Sequence, residues 1–135
     1  MNYKEGVAGI LIGAAKGGTI GATIGSVIAQ KAHLVIPVGL EKCIGFDITE
    51  MHLDMVRNWT EDSKGAALWP VVGTIVTEIE ALQQLADVRA VQVGAGGIAG
   101  AEGSVRLQVE GAQDQIERIQ VLLEETYGEP PFVQR

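Results

Sequence analysis

The stretch that decides the fold is 9–32, GILIGAAKGGTIGATIGSVIAQKA, in which a glycine recurs at every fourth position from Gly9 to Gly25. Three structures are compatible with such a run. It can be a membrane helix whose glycines let a second helix approach closely, an aggregation-prone zipper, or a strand, a glycine turn and a helix packed tightly on a sheet. We interpret the run as the strand, turn and helix.

Lys16 argues against the membrane helix. Residues 7–30 are long enough to cross a bilayer, which takes ~20 mostly apolar residues. However, Lys16 lies near the middle of the run, where a lysine costs ~2.5–3.5 kcal/mol. The segment that follows, 33–38 (HLVIPV), has the composition of a buried strand rather than of a polar flanking loop. We therefore expect no association with a membrane.

Composition and charge restrict the class of protein. A chain of 135 residues with 47% hydrophobic and 20% charged residues is typical of one folded domain. The formal net charge of −7 and the scattered basic residues argue against a nucleic-acid partner, because phosphate backbones are bound by clustered Lys and Arg. The single cysteine, Cys43, and the absence of a signal-peptide pattern at the start predict a cytoplasmic protein.

The first half of the chain, 6–59, is predicted to be β-α-β-α. Small and β-branched residues at 6–15 fit a buried strand of a parallel sheet. Lys16-Gly17-Gly18-Thr19 then forms a turn with Thr19 as the N-cap of a helix, and 33–39 forms a second strand, parallel to the first and joined by a right-handed crossover. A second helix is expected to start near Asp47.

The second half, 66–135, follows a polar loop at 60–65 and is predicted to be β-α-β-β-α. Thr77 and Glu80 have the spacing of a capping box. The predicted strands are 70–76, 88–93 and 104–110, and the last helix stops at Gly128 before a proline pair. This is the order of a ferredoxin-like unit without its last strand, unless Phe132-Val133 supplies one. We expect a single compact α/β domain over 1–135 with a mixed sheet.

The glycine turn is the first candidate site. Free N–H groups at a helix start attract anions, and Lys16 adds a positive charge beside Gly17, Gly18 and Thr19. In open parallel sheets ligands bind at the carboxyl edge, so Glu41 and Lys42, just past the second strand, are expected to converge on the same anion. The alternative interpretation is a tight turn that serves close packing alone. The lysine precedes the glycines, so this is no Walker A loop.

A second glycine-rich segment runs from Gly94 to Gly103. Its start, GAGGIA, matches the dinucleotide pattern G-x-G-x-x-A. That pattern must open a helix, whereas only a few residues separate it from the next predicted strand. We therefore predict a loop between two antiparallel strands, a lid or a pore-facing loop, with Gly96, Gly97 and Glu102 as candidate ligand contacts.

Reactive and metal-binding side chains are sparse. Glu41, Lys42 and Cys43 are candidates for a reactive group, although no histidine lies next to Cys43 and no acid–base or nucleophile–base pair is visible. Four side chains of metal-binding types lie close in sequence, but the helical spacing turns the histidine away from the acids, so we predict no metal site; they are Asp47, Glu50, His52 and Asp54.

Three functional hypotheses follow. The first is a binding module for a small anionic metabolite, nucleotide- or phosphate-bearing, held at the glycine turn. The second is an enzyme acting at the same edge through Glu41, Lys42 or Cys43. The third is a structural homo-oligomer without a ligand, in which the glycines serve packing. Abundant apolar residues in a small chain favour a homo-oligomer in each case, and the sequence indicates no particular cofactor.

Overall fold

The computed structural model describes residues 6–130, which form a mixed α/β protein with four α-helices and three two-stranded sheets. The chain divides into two compact units at the bond between Val76 and Thr77. We call them the N-unit (residues 6–76) and the C-unit (77–130). Their boundary lies after Val76 rather than in the polar loop at 60–65, and the single domain over 1–135 stays a prediction.

The N-unit contains most of the strands. Its elements are β1 Val7–Ile12, α1 Gly18–Ala29, β2 Val35–Pro37, a 3₁₀ turn Leu40–Lys42, α2 Ile48–Arg57, β3 Ala67–Val72 and β4 Thr74–Val76. Strand β1 pairs antiparallel with β3, and β2 pairs parallel with β4. The predicted parallel pairing of the first two strands is therefore wrong, because they belong to different sheets.

Gly73 explains this pairing. The predicted strand at 70–76 is divided there into β3 and β4. A Cβ atom at Gly73 would lie 2.7 Å from the carbonyl oxygen of Leu34, so only glycine lets the two backbones approach this closely. The N–H of Thr74 donates to that same carbonyl at 2.9 Å, and the N–H of Gly73 donates to the carbonyl of Gly6. At Gly73 the chain thus passes from pairing with β1 to pairing with β2.

The N-unit core forms where α2 meets the β1–β3 sheet. Ile48, at the start of α2, is 0% exposed and packs with Val7 and Leu68. Gly9 of β1 makes room for it, because a Cβ there would lie 2.8 Å from Leu68 Cδ1 and 3.3 Å from Ile48 Cγ2. The predicted helix start is confirmed, since the Asp47 side chain accepts from the N–H of Glu50 at 2.9 Å.

Helix α1 follows the glycine turn, as predicted, but starts earlier. Gly17 is its N-cap with φ 78°, a left-handed conformation that glycine adopts without strain. The predicted N-cap, Thr19, therefore lies inside the first turn. A Cβ at Gly21 would collide with the Lys16 carbonyl oxygen, so the turn packs closely against the helix. No helix within residues 6–130 has the length and apolar character needed to cross a membrane.

The C-unit has the order α-β-β-α. Its elements are α3 Glu78–Ala86, β5 Arg89–Ala95, β6 Val105–Glu110 and α4 Gln113–Thr126. Strands β5 and β6 pair antiparallel, and both helices contribute to a core of apolar side chains: Leu82, Ala86, Val88, Val109, Ile119 and Leu122. The capping box is confirmed, with the Glu80 carboxylate accepting from the N–H of Thr77 at 2.8 Å.

The predicted ferredoxin-like half is present only in part. Its first strand, 70–76, belongs to the N-unit as β3 and β4. Its possible last strand, Phe132-Val133, lies outside the described residues. The predicted helix stop is confirmed at Gly128, which has φ 77° directly after the C-cap residue Tyr127.

Candidate functional site

The N-unit contains a cavity of about 610 Å³. It lies between the C-terminal half of α2, the loop that follows, and the start of β3. Its lining combines apolar side chains with a few polar ones, namely His52, Met55, Val56, Asn58, Trp59, Ser63, Lys64, Gly65, Ala66, Ala67 and Leu68. None of these residues was among the sequence-based candidates for ligand binding.

The apolar wall comes from α2 and β3. Met55, Val56 and Trp59 recur at helical spacing, which the sequence indicates as an apolar stripe. In the structure this stripe is not covered: Val56 is 62% and Trp59 66% exposed. Only Ile48 of α2 is buried. An apolar stripe left exposed beside a cavity is available to an apolar ligand.

His52 is the polar group best fixed in the wall. One of its ring nitrogens, Nδ1, lies 2.8 Å from the carbonyl oxygen of Leu68. A carbonyl oxygen only accepts, so Nδ1 donates its hydrogen to Leu68, and a neutral ring in this tautomer has Nε2 as an acceptor. The ring also meets Trp69 edge-on, with centroids 5.1 Å apart and planes at 75°. Its orientation is therefore set by β3 on two sides.

The loop at 60–65 forms the remaining wall. Ser63 Oγ accepts from the N–H of Thr60 at 2.9 Å, and the N–H of Ser63 donates to the Thr60 carbonyl at 2.9 Å. These reciprocal bonds close the loop into a turn. Lys64 follows directly and is one of the residues that line the cavity. The loop is exposed, as predicted, but it lines the cavity and does not mark the boundary between the two units.

The structure lacks the strand arrangement on which the expected anion site at the glycine turn depends. Lys16, Gly18 and Thr19 are exposed and Gly17 is half-buried. The expected convergence of Lys16 and Thr19 with Glu41 and Lys42 depends on the first two strands being parallel neighbours. These strands belong to different sheets. The close approach of Gly21 to the turn supports the alternative interpretation, a tight turn that serves packing.

Glu41 and Lys42 form an exposed ion pair, with Nζ and Oε1 3.2 Å apart. The pKa of the Glu41 carboxyl is lowered from its usual value, first by a hydrogen bond from its own backbone N–H and then by Lys42. The neighbouring Cys43 is exposed, and its thiol has no hydrogen-bond partner among residues 6–130.

The segment from Gly94 to Gly103 is a hairpin loop, as predicted. Gly94 and Ala95 still belong to β5, and the N–H of Gly96 donates to the carbonyl of Ser104 at 2.7 Å. Gly97 is exposed. The pKa of the Glu102 carboxyl is lowered by its own backbone N–H and by that of Gly100. Its Oε1 atom accepts from the N–H of Gly100 at 3.3 Å.

The four side chains of metal-binding types have separate roles. Asp47 caps α2 and His52 bonds to Leu68. Asp54 lies 3.9 Å from Arg57, and Glu50 is exposed.

Comparisons of the chain with protein-family models, with curated proteins and with solved structures gave no match.

Proposed function

We propose that the N-unit binds a small organic anion with an apolar or aromatic body, and that the cavity beside α2 is the binding site. The observation that carries the proposal is the lining of this cavity: apolar side chains, one oriented histidine and one lysine. Its volume, about 610 Å³, falls within the ~300–1,000 Å³ of small-molecule sites.

The polar groups indicate the chemistry of the ligand. The Lys64 ammonium donates hydrogen bonds and attracts negative charge, and the Asn58 amide offers further donors. His52 presents an acceptor nitrogen towards a ligand hydroxyl or N–H. The apolar remainder of the wall favours an aliphatic chain or an aromatic ring. A phosphate-bearing metabolite, the class expected from the sequence, fits if it has such an apolar portion.

Both tryptophans of the chain report on this site, since Trp59 lines the cavity and Trp69 contacts His52. We would titrate the purified protein with octanoate, octyl phosphate and octanol and follow tryptophan fluorescence. Saturable changes with the two anions, and weaker binding of octanol, are expected. Unchanged fluorescence and unchanged melting temperature with all three probes would contradict the proposal.

Matched lysine variants locate the anion. Lys64→Ala should weaken octanoate binding about tenfold, equivalent to ~1.4 kcal/mol, and leave octanol binding unchanged. Lys16→Ala and Lys42→Ala remove the same charge elsewhere in the N-unit and should leave octanoate binding unchanged. Binding lost in Lys16→Ala but retained in Lys64→Ala would move the site to the glycine turn.

Helix α1 favours a second candidate function, a structural homo-oligomer. No residue of this helix is buried, and none between Gly18 and Ala29 is charged. Ile28 is 66% exposed. An uncharged helix that exposes a large apolar side chain is suited to contact with another protein surface. Under this hypothesis Ile28→Glu reduces the mass measured by light scattering, whereas Ser26→Glu, at an exposed polar position of the same helix, does not.

A further inference from the structure

Strand β6 has one free edge. Among the described residues its hydrogen-bonded neighbour is β5 alone. The backbone N–H and C=O groups on its other side are therefore free to pair with a further strand. An added strand would supply inter-strand hydrogen bonds and cross-strand side-chain pairs.

The two outer edges of the hairpin differ in their suitability for pairing. Strand β5 contains a bulge at Val93, because Gln92 lies opposite Leu107 while Gly94 lies opposite Arg106. A bulge interrupts the regular spacing of N–H and C=O groups and protects an edge from pairing. Strand β6 is regular over Val105–Glu110 and contains neither glycine nor proline. The edge of β6 is thus the one open to a partner strand.

The side chains of β6 alternate regularly between the two faces. Arg106, Gln108 and Glu110 are exposed, whereas the intervening Val105, Leu107 and Val109 are half-buried. Val109 packs against the core that α3 and α4 share. An added strand must continue both faces, with apolar residues towards the helices and polar residues outward.

A second copy of β6 meets these requirements, and gains complementary charges, when the two-fold axis lies at Gln108. If two β6 strands pair antiparallel about a two-fold axis at Gln108, Arg106 lies opposite Glu110 of the other copy. Leu107 then lies opposite Val109 on the apolar face. Opposite charges directly across a strand pair stabilise it, and like charges destabilise it. Axes at Arg106 or at Glu110 would instead place two like charges opposite each other.

The side chains of Arg106 and Glu110 have hydrogen-bonding capacity left for a partner in a second copy. Arg106 has no hydrogen bond or ion pair with any residue in 6–130. Glu110 accepts from Arg89 through Oε2 and from Gln108 through Oε1, each at 2.8 Å. A carboxylate has about four acceptor positions, so Glu110 retains capacity for a second guanidinium.

We propose that the chain forms a two-fold symmetric dimer in which the β6 strands of two copies pair antiparallel about Gln108. The result is a continuous four-stranded sheet, β5-β6-β6-β5, with two Arg106–Glu110 pairs across the interface. This interface belongs to the C-unit and does not depend on ligand binding in the N-unit.

Charge exchange between the copies tests the pairing. The mass of the full chain would be measured by sedimentation equilibrium at micromolar concentrations. The wild-type chain is expected to associate, with Arg106→Glu and Glu110→Arg each raising the dissociation constant at least tenfold. An equimolar mixture of the two variants should associate again, because each mixed dimer places opposite charges together at both positions. Arg118→Glu, an equal charge change at an exposed position of α4, should associate like the wild type.

Three results would overturn the proposal: a wild-type chain that stays monomeric; association that Arg106→Glu leaves unchanged; and variants that do not recover on mixing. Cross-linking checks the register independently. In a Cys43→Ser background, Gln108→Cys should form a disulfide-linked dimer on oxidation, because the two positions face each other at the axis. Arg106→Cys should not, since its two copies are offset by four residues along the strands. Equal cross-linking of both would reject this register.

Discussion

Gly21 and Gly25 hold equivalent places in the four-residue repeat but have opposite surroundings. A Cβ at Gly21 would collide with the Lys16 carbonyl, whereas a Cβ at Gly25 would meet no atom within 4 Å. We therefore expect Gly25→Ala to stabilise the protein by up to about 1 kcal/mol, the helix-propensity difference, and Gly21→Ala to destabilise it. Urea unfolding of both variants measures this. A Gly25→Ala variant that unfolds more easily would instead place Gly25 in an interface between copies.

Ile48 is the single side chain of residues 6–130 that is both large and fully buried. Ile48→Ala removes its contacts with Val7 and Leu68 and should lower the free energy of unfolding by ~2–5 kcal/mol. Val56→Ala, on the exposed part of the same helix, should change it by less than about 0.5 kcal/mol. Similar losses in the two variants would mean that α2 does not pack on the sheet through Ile48.

The Glu41 carboxylate links stability to pH. Its pKa is lower in the folded protein than the usual value because its own backbone N–H and Lys42 favour the ionised form. Stability from this group is thus fully present above the unfolded pKa of ~4.3 and is lost as pH falls through the lower folded pKa. Glu41→Gln should destabilise slightly at pH 7, within the ~0–1 kcal/mol of exposed pairs. The difference from wild type should vanish near pH 2, and a constant difference at both pH values would contradict this.

At the scale of elements, local signals were readable from the sequence and long-range pairing was not. The Thr77–Glu80 capping box, the Asp47 cap and the Gly128 stop depend on residues within one turn of each other. The pairing of β1 depends on Gly73, more than sixty residues away, through its close approach to Leu34. Within the run at 70–76 (PVVGTIV) Gly73 marks a close backbone approach, but a single glycine does not identify which strand lies on either side of it.

The cavity was missed for a related reason. Periodicity identifies the apolar stripe of α2, but whether Met55, Val56 and Trp59 are covered is decided by the loop and by β3. The turn between Thr60 and Ser63 should therefore matter for the site. Ser63→Ala removes the hydroxyl that accepts from Thr60 and should weaken octanoate binding several-fold, with unfolding free energy changed by about 1 kcal/mol or less. Unchanged octanoate affinity in that variant would exclude the loop from the binding site.

For the whole molecule, the two proposals assign different tasks to the two compact units. The proposed ligand-binding site lies in the N-unit with Lys64 and His52, and the proposed β6 pairing lies in the C-unit with Arg106 and Glu110. Arg106→Glu should therefore weaken association and leave the octanoate dissociation constant unchanged. Lys64→Ala should weaken octanoate binding and leave association unchanged. The double variant should show both changes, each of the size measured in the corresponding single variant. If octanoate binds more weakly to the dissociated chain than to the oligomer, the two sites are coupled. The ratio of the octanoate dissociation constants of these two states then gives the coupling free energy.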